Sequence, residues 1–66
     1  MIHKPYRLEQ MGDSNRWSIL GDCESNGEAQ AQMWELRRFF PRLALRVTDL
    51  RNMRIQVLHD PIVDRW

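Results

Sequence analysis

The sequence predicts a small α+β domain: a two-layer ββαββ arrangement in which one helix packs on an antiparallel sheet made of two hairpins. Three observations carry this. Residues 25–41, SNGEAQAQMWELRRFFP, combine a helix start, an apolar stripe at helical spacing and a stop. Residues 6–20 and residues 43–58 each hold two runs of alternating apolar and polar residues separated by a polar break, which is the pattern of a hairpin.

With 66 residues the chain reads as one domain over 1–66, with 59–66 as a short C-terminal tail. A chain of this size buries only about 60% of the surface its unfolded form exposes, so a deep substrate cavity is not expected and each core residue matters. Apolar residues make up 42% of the chain and the formal net charge is +1, values that separate it from disordered segments.

In the first hairpin, Tyr6-Arg7-Leu8-Glu9-Gln10-Met11 alternates, Gly12-Asp13-Ser14-Asn15 breaks the run, and Arg16-Trp17-Ser18-Ile19-Leu20 resumes it. Pairing Leu8 with Ile19, Gln10 with Trp17 and Tyr6 with Gly21 closes a four-residue loop and places Tyr6, Leu8, Trp17 and Ile19 on one face. In the helix, Ser25 and Glu28 form a capping box, with the hydroxyl accepting from the Glu28 N–H and the carboxylate reaching back to the Ser25 N–H. Glu28 early and Arg37 and Arg38 late suit the helix dipole. Ala29, Met33, Leu36 and Phe40 fall in one stripe with Gln32 and Phe39 on its flank, and Pro41 ends the element.

In the second hairpin, Leu43, Leu45 and Val47 alternate with polar neighbours, as do Met53, Ile55 and Val57. Setting Val47 opposite Ile55 and Leu45 opposite Val57 leaves Leu50-Arg51-Asn52 as the loop, with Asn52 at its left-handed position. The expected core is Tyr6, Leu8, Trp17, Ile19, Ala29, Met33, Leu36, Phe40, Leu43, Leu45, Val47, Met53, Ile55 and Val57. Strand order stays open, because either hairpin can supply the central strands. In the tail, Asp60-Pro61 reads as a cap and first helical residue, with Ile62 and Trp66 needing cover.

The residues offer little for catalysis. His3 and His59 lie far apart in sequence and no carboxylates are paired by a motif, so no enzyme is expected. Cys23 sits between Asp22 and Glu24, which oppose thiolate formation. His3, Cys23 and His59 show no ligand spacing for a metal, Gly12, Gly21 and Gly27 form no phosphate loop, and no cofactor is expected. One cysteine, no secretory signal at the start and no long apolar run give the expectation of a cytoplasmic protein without a membrane partner.

Charge is unevenly spread. Residues 1–36 carry three basic and six acidic side chains, whereas residues 37–54 carry six arginines against Asp49 alone. The pairing above projects Arg7, Arg16, Arg46 and Arg54 from the sheet face away from the helix, among Glu9, Ser18, Thr48 and Gln56. Such a face grips phosphates or an acidic protein surface, or is simply solvated. Nucleic-acid binding by a sheet also uses aromatic platforms, and this register places none on that face. Trp34 lies off the apolar stripe beside Arg37 and Arg38, the composition of an interface hot spot, or of a Trp covered by Arg38 or by the tail. Ala44 opposite Leu58, with Leu20 nearby, forms a second apolar patch suited to docking or self-association.

In size and layout the chain resembles the small intracellular proteins of phages, plasmids and bacterial accessory genes, a resemblance that implies a protein inhibiting or redirecting a host machine by binding it. The first reading is therefore a non-enzymatic interaction module for a larger protein partner, with Trp34, Arg37, Arg38, Arg46, Arg54 and Trp66 as partner-binding residues. The alternatives are a nucleic-acid-binding module using the arginine-rich sheet face, and a homodimeric structural or assembly subunit.

Overall fold

The computed structural model describes residues 3–12 and 16–60. Its elements are β1 (Tyr6–Met11), β2 (Trp17–Cys23), α1 (Asn26–Phe39), β3 (Ala44–Asp49) and β4 (Arg54–His59). One helix packs on a four-stranded antiparallel sheet, the α+β architecture predicted above. The strand order is β2-β1-β3-β4, so each hairpin contributes one central and one edge strand. The predicted tail turn, Ile62 and Trp66 lie outside the described residues.

The helix follows its local signals. The Ser25 Oγ accepts from the Glu28 N–H at 3.1 Å, and the helix leaves its regular geometry at Phe40, before Pro41. The returning Glu28 carboxylate accepts from the N–H of Glu24, at 3.3 Å, rather than from that of Ser25. The chain turning out of the helix also explains one missed core residue: Phe40 sits at the C-cap with φ −131° and is exposed instead of continuing the buried stripe.

The core consists of Leu8, Cys23, Ala29, Met33, Leu45 and Val47, with Tyr6, Leu36, Leu43 and Val57 packed against it. Its place follows from size. A helix with side chains is about 10–12 Å wide, whereas four strands at about 4.8 Å spacing span roughly 19 Å. One helix therefore buries the middle of the sheet, and Leu8, Leu45 and Val47 on the central strands are the residues it covers.

The edges behave differently from the predicted register. In the first hairpin Leu8 pairs with Gly21 but Glu9 pairs with Ile19, so Leu20 is an extra, bulged residue. A bulge moves every later side chain to the other face. Trp17 and Ile19, expected in the core, consequently share the open face with Glu9, and Ser18, expected on the open face, pairs with Gln10 on the helix side. In the second hairpin Val47 pairs with Val57 and Thr48 with Ile55, so Gln56 is the extra residue. Ile55 turns to the open face, and Arg54 moves to the helix side opposite Asp49.

The second hairpin's connection is also one residue longer than predicted. The Met53 N–H donates to the Asp49 carbonyl at 2.7 Å, and Met53, not Asn52, holds the left-handed position with φ 58°. Asn52 instead accepts the Arg54 N–H on its side-chain oxygen at 2.9 Å. Exposed Met53 bears a left-handed penalty of about 1–2 kcal/mol, and glycine's extra unfolded-chain entropy is about 0.5–1 kcal/mol. Met53→Gly is therefore expected to raise unfolding free energy by about 0.5–1 kcal/mol in urea titrations. A loss of stability would show that the Met53 side chain contributes more than its backbone costs.

Candidate functional site

Two surfaces gather the residues singled out in the sequence, and they lie on opposite sides of the sheet. The first is the C-terminal end of α1. Helical spacing puts Arg37 one turn beyond Trp34, and its guanidinium sits 4.3 Å from the centre of the Trp34 ring. Arg37 rather than Arg38 is thus the stacking residue. The tryptophan remains 54% exposed, and Phe39 and Phe40 just beyond it are 71% and 56% exposed. Among the described residues no carboxylate lies within ion-pairing distance of Arg37, Arg38 or Arg42. The place of Arg37 and Arg38 in the last helical turn is favourable in itself, because the unsatisfied carbonyls there carry partial negative charge.

The second surface is the open face of the sheet. At its centre Arg46 on β3 forms a forked pair with Glu9 on β1, at 3.0 Å to Oε1 and 3.4 Å to Oε2. The Thr48 hydroxyl donates to the same Glu9 Oε1 at 3.0 Å. The Arg46 guanidinium also lies 4.2 Å over the Trp17 ring. Toward β2, Arg7 pairs with Asp22 at 2.9 Å, and that bond holds the guanidinium further above its usual pKa. A shallow depression of about 170 Å³ is lined by Arg7, Glu9, Arg46, Thr48, Leu50, Met53 and Ile55.

This geometry changes the meaning of the arginine face. Arg7 and Arg46 are each neutralised by an in-chain carboxylate, and Arg54 belongs to the other side. The face does carry an aromatic ring, Trp17, contrary to the sequence register, but Arg46 already covers it. What the face presents instead is apolar: Ile19, Ile55 and Leu58 are 58%, 49% and 55% exposed. Leu58 stands opposite Arg46 rather than Ala44, and Ala44 pairs with Met11.

The sequence holds one clue to this. Ile19-Leu20 and Val57-Leu58 are apolar doublets that strict alternation does not produce, and each lies beside or at a bulge. Glu9 as the partner of Arg46 is not signalled by spacing at all, since the two meet only through the β1–β3 pairing.

Arg51, the remaining member of the basic segment, is a structural group. Its side chain donates to Asp49 at 3.0 and 2.9 Å and to the Tyr6 hydroxyl at 2.9 Å. Cys23 is buried and free; burial first, then Glu28 and Asp22, push its thiol pKa up, which leaves it a small core residue. Among the described residues no group of three or more His, Cys, Asp or Glu side chains could hold a metal ion. No helix among them is long and apolar enough to cross a membrane.

Comparison with protein-family models, with curated proteins and with solved structures returns no match.

Proposed function

We propose that this protein is a small interaction module that acts by occupying a surface of a larger protein, and that it recognises an acidic segment carrying apolar side chains through the C-terminal end of α1. One observation carries the reading: at the C-terminal end of α1 the Arg37 guanidinium stacks 4.3 Å from the ring of exposed Trp34, and Arg37, Arg38 and Arg42 are three cations without a carboxylate partner among the described residues. Aromatic rings and arginines of this kind dominate binding energy at protein interfaces. Arg37 stacked on Trp34 holds both groups in place before a partner arrives, which lowers the ordering cost of binding.

The reading needs no chemistry beyond occupancy, in keeping with a phage- or mobile-element-type protein that modulates a host protein. A cytoplasmic setting goes with it, since the single cysteine is a free buried thiol. A nucleic-acid partner is the alternative. The pairing of Arg7 with Asp22 and of Arg46 with Glu9 weighs against it, because phosphate contacts on the sheet would have to displace carboxylates.

The test is affinity capture from the native host with wild-type protein and with Trp34→Ala, each checked for normal folding by circular dichroism. Wild type is expected to retain a protein that Trp34→Ala loses and that salt releases, unaffected by nuclease. Recovery of the same proteins by both would end the reading, and loss of capture after nuclease treatment would transfer it to nucleic acid.

A further inference from the structure

We infer that the open face of the sheet is a self-association surface, on which a second copy of this chain packs sheet to sheet to form an α/β/β/α dimer with both helices facing outward. This goes beyond the reading for α1, which uses the opposite side of the sheet and stays accessible in such a dimer.

Charge argues for a second copy. Arg7 and Arg46 on this face are matched by Asp22 and Glu9 within the chain, at 2.9 and 3.0 Å. The face is therefore neutral: it does not repel its own copy, and it offers nothing to a polyanion or to an acidic protein. Polarity has the matching layout. The Arg46–Glu9 pair forms the middle, the Arg7–Asp22 pair reaches onto one end of β2, and exposed apolar side chains stand on both flanks, Ile19 on β2 and Ile55 and Leu58 on β4. In an isologous dimer the same patch meets itself. Whether the two-fold axis runs along the strands or across them, flank meets flank and the polar middle meets the polar middle. Sheets packed this way interdigitate their facing side chains about 10 Å apart.

Area limits what the contact can bury. Four strands of six or seven residues present roughly 19 Å by 20 Å, or about 400 Å² in projection per copy. That is about half of what each partner buries in a standard stable interface, so the dimer is expected to be weak and concentration-dependent.

Sedimentation of the full chain from about 5 µM to about 1 mM tests this. The expected result is a monomer–dimer equilibrium whose midpoint rises at least about tenfold in the double variant Ile19→Lys, Leu58→Lys, which puts like charges on both flanks. Both positions are exposed, and a circular dichroism melt matching wild type establishes that the variant folds. Trp34→Ala is expected to leave the midpoint unchanged. A wild type that is monomeric throughout overturns the inference, whether residues 61–66 or an unrelated protein covers the face instead. So does a dimer that the double variant leaves intact or that Trp34→Ala abolishes. Partner capture by the double variant keeps the two readings apart, since it depends on α1 alone.

Discussion

Leu45→Ala is expected to lower the unfolding free energy by about 2–5 kcal/mol, whereas Ile55→Ala costs less than about 1 kcal/mol. Leu45 is fully buried on a central strand, and Ile55 is half exposed on the open face. A domain of this length has roughly 3–10 kcal/mol of stability in total, at about 0.05–0.15 kcal/mol per residue. Losing Leu45 removes a large share of that, because only six apolar residues among those described form the buried core. The contrast is sharp because strict alternation puts both residues on one buried face, and only the bulge at Gln56 separates them. Urea titrations followed by circular dichroism, at concentrations well below the dimer midpoint, give the two values. Comparable losses would mean that Ile55 faces the helix and that β4 carries no bulge at Gln56.

Asp49→Asn is expected to destabilise the protein at neutral pH and to flatten the acid limb of its stability profile. Asp49 ends β3, is almost wholly buried, and accepts from the Arg51 N–H at 2.9 Å as well as from the Arg51 side chain. The Arg51 side-chain bonds first, and its backbone N–H second, hold the Asp49 carboxyl below the usual carboxylate range, against the opposing effect of burial. A carboxylate depressed in the folded state stabilises the fold above its unfolded pKa of about 3.9. That contribution is lost as pH falls through the folded value. Wild type and Asp49→Asn should therefore keep their difference from pH 7 down to about pH 5 and lose it only as pH falls through the depressed folded value. Thermal melts across that range measure the difference, from which the carboxylates common to both proteins cancel. A gap of constant size at every pH would show that the asparagine fails for steric reasons and that ionisation of Asp49 does not matter.

Both expectations bear on how much of this protein is legible in its residues. The Ser25 cap, the stop before Pro41 and the buried Ala29 and Met33 follow from chemistry within a few residues. So do the existence of four strands and the alternation that buries Leu45 and Val47. Trp34 is legible as a residue off the core stripe, and its exposure beside a stacked arginine follows from helical spacing. Phe40 is misplaced by that spacing, because the stripe runs on one residue past the point where the chain turns out of the helix.

Other features depend on contacts between distant segments. Arg46 reads as an open cation until β1 pairs with β3 and brings Glu9 to it. Trp17, Ile19 and Ile55 read as core until the bulges at Leu20 and Gln56 turn them round. The doublets Ile19-Leu20 and Val57-Leu58 mark where alternation fails without saying which way the strand then faces.

Local chemistry along the chain dictates the kind and order of the elements, one capped helix between two hairpins, because turns, caps and side-chain periodicity act over a few residues. The strand order β2-β1-β3-β4, the register and hence the apolar character of the open face emerge only when the four strands and the helix come together. A strand's side chains alternate with a period of two, so one inserted residue reverses every side chain beyond it. Where that residue is inserted shows itself only in the pairing of one strand with the next, which no local stretch of the chain contains.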